Sequence, residues 1–329
     1  MPSAAQQGAD TPADAPSTSE DSTGSAGEGT FFGEAPLSPL PITEAFRIRL
    51  QTFIAPEAPL GSGDVTLVRP ELNARATWPI NDRVVLRMTM RLSESRYRFH
   101  GDAWGSAALL PGVGKDPDAA FGNLDLHAAQ LGLEGAYGLS RDTHWLAQHE
   151  EWAVIGALYG GSGWEDGAFH SGLGARGVIG IGYEIPERLR LALGVSLRTP
   201  LDHAGVDVGP FLSLRWRPVD RFTLRTRELG LQAEFALTPV FEIYLAGFRA
   251  TDRFALNNRS PLGDLTFRDR RVQVGAGFEY KLANWVRIAL EGGSIVDRRI
   301  RVEDEDLGTL LSRRGDPSGY CEVRVELRL

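Results

Sequence analysis

The stretch "ERLRLALGVSLRT", Glu187 to Thr199, separates cleanly when every second residue is read. Leu189, Leu191, Leu193, Val195 and Leu197 make one face; Arg190, Ala192, Gly194, Ser196 and Arg198 make the other. A period of two residues is the signature of a β-strand. The same alternation recurs in "EAFRIRLQTF", "ELNARATW" and "RVVLRMTMRL". Further alternating segments are predicted at about 124–139, 146–160, 172–184, 188–199, 208–218, 221–227, 229–238, 240–250, 269–282, 285–296 and 320–329. That makes fourteen strands, with twelve if Phe222–Leu237 does not form a hairpin. Segment 124–139 has a mixed phase, and Asp304–Ser312 could take a short helical turn.

No run of about 18 apolar residues exists, so no transmembrane helix is expected. A barrel escapes that test, because half of each strand faces the lumen. Link lengths alternate. Short links are predicted near Pro79–Asp82, Ser140–Thr143, Pro186–Glu187, Pro218–Asp220, Thr238–Pro239 and Ala283–Asn284. Between them fall long links at 56–69, 93–123, 161–171, 200–207, 251–268 and 297–319. Short turns at one end and long loops at the other belong to outer-membrane barrels.

Aromatic residues point the same way. Trp78, Tyr137, Trp145, Tyr183, Trp216, Phe222, Tyr280 and Trp285 all lie beside the short links. Trp and Tyr favour the membrane–water interface, so these eight are expected to form one girdle. A second, less regular girdle is expected from Tyr97, Phe99, Trp104, Tyr159, Trp164, Phe254 and Phe267. The fold class is therefore all-β, an antiparallel transmembrane barrel of residues 43–329. Residues 1–42, rich in Ala, Ser, Thr, Pro, Gly and acids, read as a flexible tail. Residues 1–30 lack the basic and apolar regions of a secretory signal, so export to the outer membrane would draw on a leader ahead of this start.

With the apolar face toward lipid, fifteen arginines share the inward phase with seven glutamates. The constriction candidates are Arg87, Arg91, Arg190, Arg198, Arg215 and Arg217. Rings of arginine bias a pore toward anions, whereas pairing with glutamates on neighbouring strands would fill the lumen and strengthen the wall. The net charge of −8 argues against nucleic acid as a partner. The expected partners are outer-membrane lipid, barrel-assembly machinery during insertion and small anionic solutes. The oligomeric state stays open.

Catalytic and metal chemistry find little support. His170 and Ser171 adjoin, but strand neighbours point to opposite faces and cannot pair directly. None of His100, His127, His144, His149, His170 and His203 sits at a zinc-ligand spacing. The acidic loops Gly163–Gly167 and Arg301–Gly308 do not match an EF-hand, and "GVGK" at Gly112–Lys115 lacks the rest of a phosphate loop. The lone Cys321 allows no internal disulfide. No cofactor, metal or catalytic residue is expected. The functional reading is a passive channel or a wall protein. A loop-mediated receptor or adhesin, and less so a barrel-embedded lipid hydrolase, are the alternatives.

The stretches "FLSLRWRPVDRFTLRT", "GLQAEFALTPVFEIYLAGF" and "RRVQVGAGFEYKLANWVRIALEGG" are similar to a family of predicted outer-membrane barrels of unknown function. The resemblance covers 200–329 well and 120–199 loosely, and implies fold and location only. The chain end "YCEVRVELRL" resembles the terminal strand that barrel-assembly machinery reads, with Leu329 where phenylalanine is usual.

Overall fold

A computed structural model describes residues 45–81, 83–104, 122–139, 151–199, 205–257, 265–304 and 308–329. The 1–42 tail, Trp145, the 140–143 turn and the phosphate-loop-like "GVGK" lie outside the described residues. The described chain is a closed antiparallel barrel. Its strands are β1 (Phe46–Leu60), β2 (Gly63–Asn81), β3 (Val84–His100), β4 (Asn123–Gly138) and β5 (Glu151–Glu165). Then come β6 (Leu173–Ile185), β7 (Leu189–Arg198), β8 (Asp207–Val219), β9 (Phe222–Thr226) and β10 (Leu229–Ala236). The wall is completed by β11 (Phe241–Ala255), β12 (Leu265–Ala283), β13 (Val286–Asp304), β14 (Gly308–Gly315) and β15 (Ser318–Arg328). β14 and β15 run on in one direction between β13 and β1, so together they are the fourteenth wall strand and close the ring. Of the helical turn expected at Asp304–Ser312, the described residues are strand: Asp304 ends β13 and Gly308–Ser312 begin β14, where Gly308–Asp304 pairing draws them into the sheet.

The outward residues in the lower part of the wall are aliphatic and exposed all the way round: Leu50, Leu92, Leu133, Ile179, Leu193, Leu212, Leu245, Val274 and Val323 among them. Water-soluble proteins rarely expose contiguous apolar patches beyond a few hundred Å². A continuous belt of this kind requires hydrocarbon outside, and a closed β-barrel satisfies every backbone group there. The wall therefore spans an outer membrane, with both barrel ends of the chain on the short-turn, periplasmic side. Leu189 to Leu197 face lipid, as their alternation predicts.

Trp78, Tyr137, Trp216, Tyr280 and Trp285 are exposed at the lower rim, with Tyr183 and Phe222 half-buried beside them. Trp152 stacks on Tyr183 at a centroid distance of 4.8 Å. The second expected girdle is not one. Tyr97, Phe99, Trp104, Tyr159, Phe254 and Phe267 are buried inside the barrel, and Trp164 is half-buried against His127 and Phe169.

The reason is an inversion of polarity with height. Along β3 the outward residues are Leu86, Met88, Met90 and Leu92, then Glu94, Arg96, Arg98 and His100. The inward ones are Arg87 and Arg91, then Tyr97 and Phe99. β4 does the same: Leu131, Leu133 and Tyr137 face lipid, Asp125 and His127 sit above them, and Leu124 and Leu126 point inward. The strands thus rise out of the bilayer into water and exchange faces. Above the membrane, Glu94 is held below the usual carboxylate range by the hydrogen bond that Arg96 Nε donates at 2.6 Å.

This extension shortens the expected long links. Residues 56–69 contain no long loop: β1 and β2 meet at Gly61–Ser62, where Gly61 takes φ +63°, a conformation glycine adopts without strain. Parts of 93–123, 161–171, 251–268 and 297–319 are likewise strand. The upper interior is a dry core of Leu60, Leu67, Tyr97, Trp104, Leu126, Phe254, Phe267, Ile300 and Val302. β6–β10 do not reach this height. There β5 pairs directly with β11, Trp164 opposite Ala255.

Candidate functional site: a cationic vestibule under a bridged lumen

Below the dry core the inward positions are charged. At the periplasmic end they line a cavity of about 440 Å³ with fourteen cationic side chains and five carboxylates. The strand register explains the density. Arg47 lies directly opposite both Arg75 and Arg328, and Arg215 lies opposite both Arg190 and Arg225. Like charges facing each other across a sheet are destabilising. A few acids offset this. Glu326 accepts from Arg49 Nη2 at 3.0 Å and from Arg328 Nε at 2.6 Å. Glu184 accepts from Arg190 at 2.6 Å, Glu234 from Arg225 at 2.7 Å and Glu279 from Arg287 at 2.8 Å. Arg215 has no carboxylate within ion-pair distance among the described residues.

Between vestibule and core, ion pairs cross the lumen. Arg271 and Arg298 are buried, and both donate to Asp269, at 2.8 Å each. Arg271 also binds Asp252, which accepts from Arg69 at 2.7 Å. Tyr97 Oη donates to Asp269 at 3.0 Å. Arg91 donates to Glu71 at 2.6 Å.

The β9–β10 hairpin completes the bridge. Its turn, Arg227–Glu228, does not stand in the wall but leans into the lumen. Glu228 takes φ +49° and interacts electrostatically with Arg91 and Arg69 on β3 and β2. Arg227 reaches Glu291 on β13 and lies 3.6 Å from Glu322 on β15. Its guanidinium stacks over Phe248, 4.3 Å from the ring centroid. Tyr320 Oη donates to Glu291 at 2.7 Å. The described side chains therefore fill the lumen at this height.

The constriction candidates divide. Arg87, Arg190, Arg215 and Arg217 share the vestibule. Arg91 belongs to the bridge above it, and Arg198 lies on the upper part of β7, 2.6 Å from Asp207. They do not form one ring, because barrel strands are staggered and equal sequence phase does not mean equal height. Missed in the sequence were Arg227, Glu228, Asp252, Asp269 and Arg298. Two of these, Asp252 and Arg298, sit in stretches expected to be loops, and Arg227 and Glu228 join two short expected strands, 221–227 and 229–238, with no Gly, Pro, Asn or Asp to mark a turn. The signal available for Asp252 and Asp269 was their alternation with Phe254 and Phe267, which continues β11 and β12 upward.

Glycine makes room where large inward groups need it. A Cβ on Gly132 would lie 2.4 Å from the Tyr159 ring. That ring carries its hydroxyl to Glu134, 2.9 Å away, and Glu134 holds Arg87 at 3.1 Å. Gly132→Val is expected to displace Tyr159 and destabilise the barrel by about 1–3 kcal/mol, measured by urea unfolding in detergent. An unfolding midpoint equal to that of the parent would refute the packing role.

No metal-binding group of His, Cys, Asp and Glu occurs among the described residues. His127 lies 3.3 Å from Asp166 on the outer surface, and His170 packs edge-on against Phe169.

Searches of protein-family models and of curated proteins found no match to the sequence. Among solved structures the chain is similar to an outer membrane channel from Pseudomonas putida F1, at 11% identity and a TM-score of 0.44, over 89% of this chain and 100% of that one. It is also similar to a mutant of the TodX monoaromatic hydrocarbon channel, at 11% identity and TM-score 0.41, over 90% and 92% of the two chains. A third is the KdgM porin, at 8% identity and TM-score 0.29, over 86% and 99%.

Proposed function

We propose that the protein is a passive outer-membrane channel whose vestibule favours small anions. The observation that carries this reading is the imbalance of fourteen cations against five carboxylates around one cavity. Such a surface lowers the entry barrier for anions and raises it for cations. In this reading the β9–β10 turn is the stopper, and solute passes only when Arg227 and Glu228 leave the lumen. A purely structural wall protein is the second reading, favoured by the continuity of the ion-pair bridge and the dry core above it.

Planar-bilayer recording separates the two. A channel gives discrete conductance steps and, in a KCl gradient, a reversal potential displaced toward the chloride limit. Arg215→Gln together with Arg217→Gln is expected to move that potential toward the unselective value while leaving folding intact, since neither guanidinium anchors the bridge. Absence of any conductance, in the parent and in variants with a released turn, would leave the wall reading standing. Unchanged selectivity after neutralisation would remove the arginine mechanism.

A further inference from the structure

Above the lipid belt, on the outside of the barrel, a separate row of arginines crosses three neighbouring strands. Arg270 of β12 lies directly opposite Arg299 of β13, and Arg299 directly opposite Arg314 of β14. Alternation turns all three outward, since their neighbours Asp269, Arg271 and Arg298 are buried in the lumen network. Arg314 has Asp297 at 3.1 Å. Arg270 and Arg299 have no carboxylate within ion-pair distance among the described residues. In the next row up, Glu303 lies 3.6 Å from Arg268 and 3.5 Å from Arg301, so it is already engaged.

Two facing guanidinium groups with no counter-charge repel one another. The next row down carries Arg249, Val272 and Asp297 opposite one another, and below it the outward wall is apolar, with Val274 and Val296 about half exposed at 52% and 45%. The row therefore marks the height at which acyl chains give way to headgroups, on the side away from the chain ends. A phosphate there would meet two forked donors and could be held by paired N–H···O bonds, while its acyl chains lie along Val272, Val274 and Val296.

We propose that Arg270, Arg299 and Arg314 form a binding site for the phosphate of an outer-leaflet lipid. The position selects a lipid over a free anion, because only the single row of Arg249, Val272 and Asp297 separates the arginines from the hydrocarbon belt. The proposal is independent of conduction through the lumen.

The test uses the full barrel purified in uncharged detergent. Micelles are doped with phosphatidic acid as the phosphomonoester lipid, or with phosphatidylcholine, or the buffer carries inorganic phosphate, and native mass spectrometry counts bound molecules. The parent is expected to retain phosphatidic acid and little phosphatidylcholine. Arg270→Gln with Arg299→Gln is expected to weaken retention about tenfold, the loss of two charge-assisted contacts. Arg96→Gln with Arg98→Gln, outward on β3, serves as the distant control and is expected to leave it unchanged. Heat-modifiable mobility reports folding. Should the glutamine pair not fold, Arg270→Lys with Arg299→Lys keeps the charge but loses the fork, and is expected to give partial loss. Undiminished retention in the folded variants, equal retention of the two lipids, or inorganic phosphate competing as well as the lipid would each overturn the proposal.

Discussion

Arg227→Leu is expected to release the β9–β10 turn from the lumen with the barrel still folded, and single-channel conductance should rise above the parent level where this turn, rather than the ion pairs of Asp252 and Asp269 and the dry core above it, sets the closure. In the structure this side chain makes the turn's hydrogen-bonded tie to the far wall, reaching Glu291 and Glu322 and stacking on Phe248, beside the electrostatic interaction of Glu228 with Arg91 and Arg69. Removing one partner of a buried charge pair costs about 3–5 kcal/mol, chiefly because the other charge is left uncompensated. Here two carboxylates are left, and the state in which the turn stays inside suffers that loss. A turn that swings outward lets water reach both. Since about 1.4 kcal/mol changes a two-state population tenfold, even a third of the penalty moves the hairpin strongly toward the released state. The remaining strand pairing of β10 with β11, eight residue pairs long, keeps the wall closed. Bilayer recording of Arg227→Leu beside Arg227→Lys checks this. Lysine keeps the charge and should stay closed. If both variants conduct no more than the parent, the turn is not the stopper.

Asp269→Ala is expected to be the most destabilising single change in the barrel. Asp269 accepts from Arg298 by two nitrogens, at 2.8 and 3.2 Å, and from Arg271 and Tyr97. Arg271 is fully buried and Arg298 almost so, at 0% and 1% exposure. Without Asp269, Arg298 has no carboxylate beside it and Arg271 retains Asp252 alone among the described residues. The expected loss is about 3–5 kcal/mol, the range for breaking a buried pair. Urea unfolding in detergent, followed by tryptophan fluorescence, measures it. Asp269→Asn should be intermediate, since the amide oxygen still accepts while the charge is gone. A loss below about 1 kcal/mol for Asp269→Ala would show that the bridge is hydrated and screened rather than buried, as exposed pairs are.

The comparison of Arg91 with Arg87 shows what can be read from a linear pattern. Both occupy the inward phase of β3, four residues apart, and both are constriction candidates, a group whose three segments do not require one common height. Arg87 lines the vestibule and pairs with Glu134, and Arg91 is committed to Glu71 above it. Phase is a property of the strand; height is a property of the barrel. The reading of residues 93–123 as a long polar loop failed for a related reason. "SESRYRFH" has the alternation of a strand, but its polar face is the outer one. A rule that expects apolar residues outward everywhere discards such a segment once the chain leaves the bilayer. The mixed phase of 124–139 is the same inversion on the neighbouring strand, with Leu124 and Leu126 packed inside.

Arrangement across the lumen was out of reach altogether. Arg227 meets Glu291 at a separation of 64 residues, and Arg69 meets Asp252 at 183. No local pattern encodes those distances.

What the chain determines by itself is whatever depends on near neighbours: strands, their faces, the number of wall strands, the aromatic lower rim and an arginine-rich inward phase. Period-two alternation is local, because each peptide turns its side chain opposite to the one before. Which carboxylate answers which arginine, where lipid gives way to water along each strand, and that one hairpin leans inward were decided only when the ring closed. Closure sets the stagger, and the stagger brings charges from distant strands to a common height.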